Sequence, residues 1–470
     1  MSPLDQLLAS YLDLARHLDP LRHPIDAPAE LRHRLGRFDA PWLTAQVAAL
    51  KSIANAIEDL EAVESLDDEV DRTMLLNTIR TDVVDLEAQA GGDSFDGRRP
   101  LEHARQALCE LMDEGFDADS EAALRDRIVA LPEFLASLRH DSRKLPAELA
   151  DATVGKAAQL LEALDEASEY LDDSTVQPAL VAVAEHRAWL DDLKRIGGEA
   201  RLGEDVVERH LATLGSEPVG VKGTLRLLEL RRTGVERSLL SAAQELGSDE
   251  PLALVRSLID ENPISWEDLS EAWPPEWERV RSELRMLGVP VSAAPPVEDP
   301  FEAEDRWTLT AAAIREQAAL SLDLAREQQH SAVRRLLVAP GLMDGWGRTV
   351  AALLRGTEAT GLPERQLMLS YLALLDSVAA ETDLLLQSRR SSLEGLIERT
   401  MQLTGLHEPG ARALVWRVAE EPLDSLAAAL AHEAWQSWYA EEGGDPVAFI
   451  KRALAGGGLA VPLARWALSS

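Results

Sequence analysis

Apolar residues recur along this chain with the period of an α-helix almost from end to end, and that pattern leaves little room for strands. Between Leu145 and Leu171, the residues Val154, Ala157, Leu161, Leu164 and Leu171 follow at steps of three, four and seven. Lys156, Glu162, Asp165 and Glu169 fill the other face, so one long amphipathic helix is expected. Asp39-Ala40-Pro41 predicts another helix start, an N-cap acid followed by a proline in the first turn, carried on by Leu43, Val47, Leu50, Ile53 and Ile57. Asp67-Asp68 and Ser120-Glu121 read as similar starts. No stretch sustains strict alternation between turn residues, and Gly and Pro fall between helical segments rather than at hairpin spacing. The expectation is an all-α fold of roughly 18 to 22 helices with under about 8% strand.

One compositional shift interrupts the pattern. Trp266, Trp273, Pro274, Pro275, Trp277, Pro290, Pro295, Pro296 and Pro300 concentrate helix breakers and large rings over residues 263–300. This reads as a connector between an N-terminal helical lobe, 1–262, and a C-terminal lobe, 301–470. Of the 11 tryptophans only Trp42 and Trp189 precede the connector, so the rings of the second lobe either fill its core or line a cleft. No internal repeat with a period of 20 to 50 residues is visible.

With 470 residues and 46% hydrophobic content the chain can bury a sizeable core. Its 82 acids against 47 bases give a formal net charge of -35. Such a surface repels phosphate backbones and anionic headgroups, which argues against nucleic acid and membrane surfaces as partners. The start of the chain shows no leader pattern, and no run of about 18 apolar residues exists to span a bilayer, so a cytoplasmic location is expected. The single cysteine, Cys109, lies in the apolar stripe Ala107-Leu108-Cys109-Glu110-Leu111 and reads as a small core residue.

Familiar chemical motifs are missing. There is no nucleophile elbow, Walker loop, dinucleotide fingerprint or Cys-x-x-Cys pair. The triplet Gly456-Gly457-Gly458 follows no strand and reads as a helix terminator and turn. His432-Glu433 lacks the second histidine that a zinc helix needs four residues on, because Gln436 stands there. None of the 10 histidines forms an i, i+4 pair, and no metal site or cofactor is expected.

A succession of blocks does carry a resemblance. Arg34-Leu35-Gly36-Arg37-Phe38-Asp39 is followed by Glu69 to Leu76, Val83 to Glu87, Arg201 to Asp205, and then Ser392-Leu393-Glu394 through Thr404-Gly405-Leu406 to Glu421-Pro422. In order and approximate spacing this resembles the bacterial domain-of-unknown-function 885 family, whose fuller members are helical, zincin-like presumed metallohydrolases or peptidases. The resemblance implies two helical lobes around a peptidase-like cleft. It also places a His-Glu-x-x-Pro-Gly-His motif on Arg315 to Ser321 and a Glu-Gly-Trp motif on Asp344-Gly345-Trp346. Glu316 survives, both ligand histidines are replaced by Arg315 and Ser321, and the third ligand is shortened to Asp344. Further site positions fall on Ala379, Asp383 and Gln387, and a tyrosine and glutamine on Ala428 and Asp424. The segment before the metal helix is shortened around Val289 to Glu302.

A guanidinium brings a fixed positive charge where zinc would need a neutral imidazole at about 2.1 Å. The resemblance therefore implies a degenerate metal site, with Arg315 either pairing with Glu316, Asp344 or Asp383 or pointing to solvent. Three readings follow. The first is a non-catalytic pseudoenzyme whose cleft, lined by Arg315, Glu316, Ser321, Asp344, Trp346, Asp383 and Gln387, binds a peptide or protein segment, basic in view of the net charge. The second is a hydrolase with zinc-independent chemistry, using Glu316, Asp344 and Asp383 as acid-base groups or as oxygen ligands for Mg2+. The third is a helical scaffold subunit. The sequence leaves oligomeric state and pathway open.

Overall fold

The computed structural model describes residues 2–18, 29–60, 65–91, 98–113, 116–140, 147–193, 201–214, 219–263, 266–291, 306–355 and 363–468. Among these residues there are twenty α-helices, one 3-10 helix and no strand, so the fold is all-α. By internal contacts the chain forms two compact units: Met1–Ala62 with Thr78–Arg201, and Val63–Asn77 with Leu202–Ser470.

The first unit holds α1 (Pro3–Leu18), the 3-10 helix Ala29–His33, α2 (Ala40–Glu58) and the second half of α3 (Leu66–Gly91). It continues with α4 (Arg98–Asp113), α5 (Ala118–His140), α6 (Ala147–Ala167) and α7 (Asp173–Asp192). The N-cap expected at Asp39 is present: its Oδ1 accepts from Trp42 N at 3.1 Å, and Pro41 sits in the first turn, where no N–H is needed. The start expected at Ser120 lies two residues earlier, because Asp117 Oδ1 accepts from both Asp119 N and Ser120 N. The α6 stripe behaves as its period dictates. Ala157, Leu160 and Leu164 are buried against Leu101 and Leu108 of α4, Leu124 and Leu131 of α5 and Val183 of α7, in one continuous aliphatic core. Cys109 packs on the edge of that core, as expected.

The second unit holds the first half of α3, α8 (Glu204–Thr213), α9 (Gly220–Glu245), α10 (Pro251–Glu261), α11 (Trp266–Met286) and α12 (Arg306–Glu327). After these come α13 (Ala332–Leu336), α14 (Leu342–Arg355), α15 (Pro363–Gln387), α16 (Leu393–Thr404), α17 (Glu408–Glu420), α18 (Asp424–Glu441), α19 (Pro446–Ala455) and α20 (Val461–Leu468). The sequence of α15 is apolar on every side, which suits a helix surrounded by others. It contributes Ala379 and Leu386 to one core cluster, Ala380 and Leu384 to a second, and Leu367, Tyr371 and Leu374 to a third. The charged residues this helix buries are answered locally. Glu381, fully buried, accepts from Arg232 of α9 at 2.8 Å and from Arg399 of α16 at 2.5 Å.

The division does not fall at residues 263–300. Instead the chain changes unit at Leu202, and residues 63–77 are borrowed from early in the sequence. The proline-tryptophan segment misleads because Pro274 and Pro275 lie inside α11. Leu269, Trp273, Trp277, Val280 and Leu284 recur at helical steps there, and all are buried. That apolar stripe outweighs the two lost backbone hydrogen bonds. Residues 264–265 and 292–305, which include the end of the expected connector and most of the shortened segment, lie outside the described residues. Several rings of the second unit are core: Trp346, Trp435 and Phe449 pack within 6.3 Å of one another, and Trp435 stacks on Trp438, whereas Trp466 is exposed.

Candidate functional site

The second unit holds a partly open cavity of about 460 Å³ between α9, α12, α14, α15 and α18. Each wall is one stripe of a helix. Arg348, Ala351, Ala352 and Arg355 of α14 stand at steps of three, four and seven and face the cavity. The opposite side of α14 buries Leu342, Trp346, Val350 and Leu353. On α15 the lining stripe is Leu369, Leu372, Ala373, Asp376 and Ser377; on α9 it runs from Leu227 through Arg231 and Val235 to Ser238. Ala311 and Arg315 of α12 and His432, Glu433 and Gln436 of α18 complete the lining.

Two glycines set how closely these walls approach. A Cβ on Gly341, whose φ is +67°, would come within 2.2 Å of the Ala427 carbonyl carbon, and one on Gly345 within 2.6 Å of the Ala431 Cβ. The start of α14 therefore lies backbone to backbone on α18. That contact brings Thr349 to His432: Thr349 Oγ1 donates to the Gly345 carbonyl at 2.7 Å and lies 2.9 Å from His432 Nδ1.

Charge in the cavity is unbalanced. Arg315 donates to Asp376 Oδ2 at 2.5 Å, and Arg348 lies 3.8 Å from the same oxygen. Burial works to raise the Asp376 pKa, but the Arg315 and Arg348 charges, the hydrogen bond from Arg315 and the more distant Arg417 outweigh it, so Asp376 is held below the usual carboxylate range. Arg231 pairs with Glu433. Arg355 has no ion-pair partner among the described residues; burial lowers its pKa, opposed by the Asp376 charge. A guanidinium nonetheless stays charged at any ordinary pH. Among the described residues, four guanidiniums against two carboxylates leave a formal excess of two positive charges on a largely apolar wall. His432 is pushed down to about 3 by burial, with Arg348, Arg231 and Arg355 adding to the effect, and is neutral.

Of the residues singled out in the sequence, Arg315 lines this cavity among the described residues, and its partner is Asp376 rather than Glu316, Asp344 or Asp383. Asp376 holds it because the carboxylate projects from α15 into the same space. Ser321 is buried, donating to the Ala318 carbonyl at 2.6 Å and accepting from Trp346 Nε1 at 3.2 Å, so both complete the core behind α14. Asp344 is exposed in the first turn of α14. Asp383 is fully buried, and its two oxygens accept from Leu423 N at 2.9 Å and Leu426 N at 3.1 Å, fastening the N-terminus of α18. Burial pushes it up to about 8, the two amides oppose that rise, and Asp424 and Glu421 add to it. Gln387 is buried, and its carbonyl accepts from Gly203 N at 2.8 Å. Glu316 is partly buried on α12. Among the described residues no three His, Cys, Asp or Glu side chains are grouped to hold a metal ion. The cavity residues that sequence reasoning missed are Asp376, Arg231, Arg348 and Arg355. A signal existed: a lone carboxylate inside the apolar run Ser370 to Ala380 needs a buried cation, and Arg348 and Arg355 stand seven apart on one helix face.

No family model matches the chain, and no curated protein matches it in sequence. Solved structures do match in fold. A protein from Shewanella oneidensis described as a proposed lipoprotein of unknown function superposes with a TM-score of 0.76 at 14% identity, over 100% of both chains. A proposed lipoprotein from Colwellia psychrerythraea gives a TM-score of 0.76 at 13% identity, over 99% of both. Among the described residues no helix is long and apolar enough to cross a membrane.

Proposed function

We propose that the second unit is a non-catalytic binding module whose cavity takes a small organic anion with an apolar body. The observation that carries this reading is Arg355: a half-buried guanidinium facing the cavity without an ion-pair partner among the described residues, where the described lining already holds more guanidiniums than carboxylates. Burying such a charge is costly unless something negative meets it. The apolar faces of α9 and α15 supply the surface for the rest of the ligand. A volume of about 460 Å³ lies within the range of small-molecule sites. The formal charge of -35 does not conflict with this, because exposed charges are screened within about 10 Å at 0.1 M salt, whereas the guanidiniums act at contact distance. A pseudoenzyme that retains its cleft remains compatible with this reading, but with the sign of the ligand reversed. The acids Asp344 and Asp383, on which a basic segment would rely, lie on the surface and at a helix cap respectively.

Calorimetric titration of the full chain with decanoate, decanol and decyltrimethylammonium tests the proposal. Decanoate is expected to bind, with Arg355→Gln weakening it roughly tenfold, in line with the loss of one charge-assisted contact. Preferential binding of the ammonium would restore the basic-partner reading, and decanoate binding that ignores Arg355→Gln would remove the cavity from consideration.

A further inference from the structure

The polar end of α18 narrows the ligand further. The Thr349 hydroxyl has one hydrogen, and the Gly345 carbonyl 2.7 Å away takes it. The 2.9 Å contact between Thr349 Oγ1 and His432 Nδ1 must then be donated by the ring, which fixes the Nδ1–H tautomer and leaves Nε2 with a lone pair. Thr349 is fully buried in the seam between α14 and α18, so the ring edge carrying Nε2 is the one turned to the cavity that His432 lines. One helical turn on, Gln436 lines the same wall, and its Nε2 is buried with no hydrogen-bond partner among the described residues. An acceptor that cannot donate thus stands beside an amide free to turn either way, and Arg231, Arg348 and Arg355 are near enough to act on the ring.

The geometry points to an apolar carboxylate that carries a hydrogen-bond donor, an amide N–H or a hydroxyl, close to its acid group, with that donor given to His432 Nε2 and the adjacent oxygen met by the Gln436 amide. This rests on the anion-binding reading above. Plain carboxylates offer no donor to His432 Nε2, and a site whose polar groups the ligand leaves unmatched discriminates against the ligand lacking the matching group.

Two matched pairs of probes test it on the unaltered protein at pH 7.5. N-octanoylglycine and N-octanoylsarcosine share charge and length, but the second has a methyl in place of the N–H; 3-hydroxydecanoate and decanoate differ by one hydroxyl. Titration calorimetry is expected to show the donor-bearing member of at least one pair binding roughly three- to tenfold tighter, and the pair that shows it identifies the source as amide or hydroxyl. His432→Phe should abolish the difference between the members of that pair. Histidine 15N spectra of the free protein should show His432 Nε2 unprotonated. Equal affinities within both pairs, or a protonated Nε2, overturn the inference while decanoate binding keeps the anion reading intact. Failure of every anion to bind overturns both.

Discussion

Both units bury a few charged groups, Arg98 and Arg127 in the first and Glu381 and Asp383 in the second, but they arrange them differently. The first closes an aliphatic core of leucines, alanines and valines from α4 to α7, and its buried His186 has both ring nitrogens without a partner among the described residues. The second gathers its acids on one helix, α15, answering Glu381 with two arginines, Asp383 with two amides and Asp376 with the half-buried Arg315, beside a cavity where positive charge is left over among the described residues. A core of the first kind specifies a shape. A core of the second kind holds charges at fixed places, and on the anion-binding proposal the leftover charge is where a carboxylate would be met.

The largest expected effect lies at Asp376. Asp376→Ala leaves Arg315 without its carboxylate, and the second unit should lose about 2 to 4 kcal/mol, a figure reduced because the cavity admits water. Hydrogen exchange should show protection falling in α12, α14 and α15 and unchanged in α4 to α7; a uniform fall would break the contrast between the units.

Acid should separate the units next. Burial, with the Arg139 charge, pushes His186 down to about 4, so between pH 6.5 and 4 the unfolded chain binds a proton that the folded unit refuses. Its contribution is complete above pH 6.5 and falls as pH drops toward 4, by up to about 3 kcal/mol. In the second unit His432 has the same sign, but Asp383, raised to about 8, gains stability as pH falls from 8 to its unfolded value near 3.8. The two offset each other below pH 6.5. Denaturation followed by exchange in α7 should therefore weaken between pH 7 and 5, and His186→Leu should flatten it; equal acid sensitivity in α18 would sink the argument.

Gly345→Ala tests the close crossing. Its Cβ would meet Ala431 at 2.6 Å and the Ala428 carbonyl at 2.9 Å, so a cost of about 2 kcal/mol is expected, together with loss of the His432 tautomer signal. The smallest effect has the opposite sign. Arg355→Leu removes an unanswered charge and should leave stability unchanged or raise the melting temperature of the ligand-free protein by a few degrees. A clear drop would mean that Arg355 is structural.

Helix class and several boundaries were legible because period and caps are local: the α6 stripe and the Asp39 cap needed nothing from distant residues. The unit boundary was not, because prolines at 274 and 275 outweigh in local reading what only burial of Trp273 and Trp277 decides. For the site, Arg315 was found and its partner was not. Ion pairs such as Arg315–Asp376, 61 residues apart, depend on which helix faces meet, and neither a motif nor a period encodes that. Trp346 and Ser321 stood out in the sequence and prove to be packing, since a buried indole with its N–H satisfied explains both.

The borrowed segment Val63–Asn77 sets a timetable for the nascent chain. Its anchor is Arg334, which donates to Asp71 Oδ1 at 2.6 Å across 263 residues of sequence, and to Asp67. At roughly 5 to 20 residues per second, the ribosome delivers Arg334 about 13 to 50 s after Asp71 has emerged. During that interval the helices of the first unit are all made and can condense, while the leading half of α3 waits without its counter-charge. Slowed synthesis between α8 and α13 would lengthen that wait and expose the leading half of α3 to proteases.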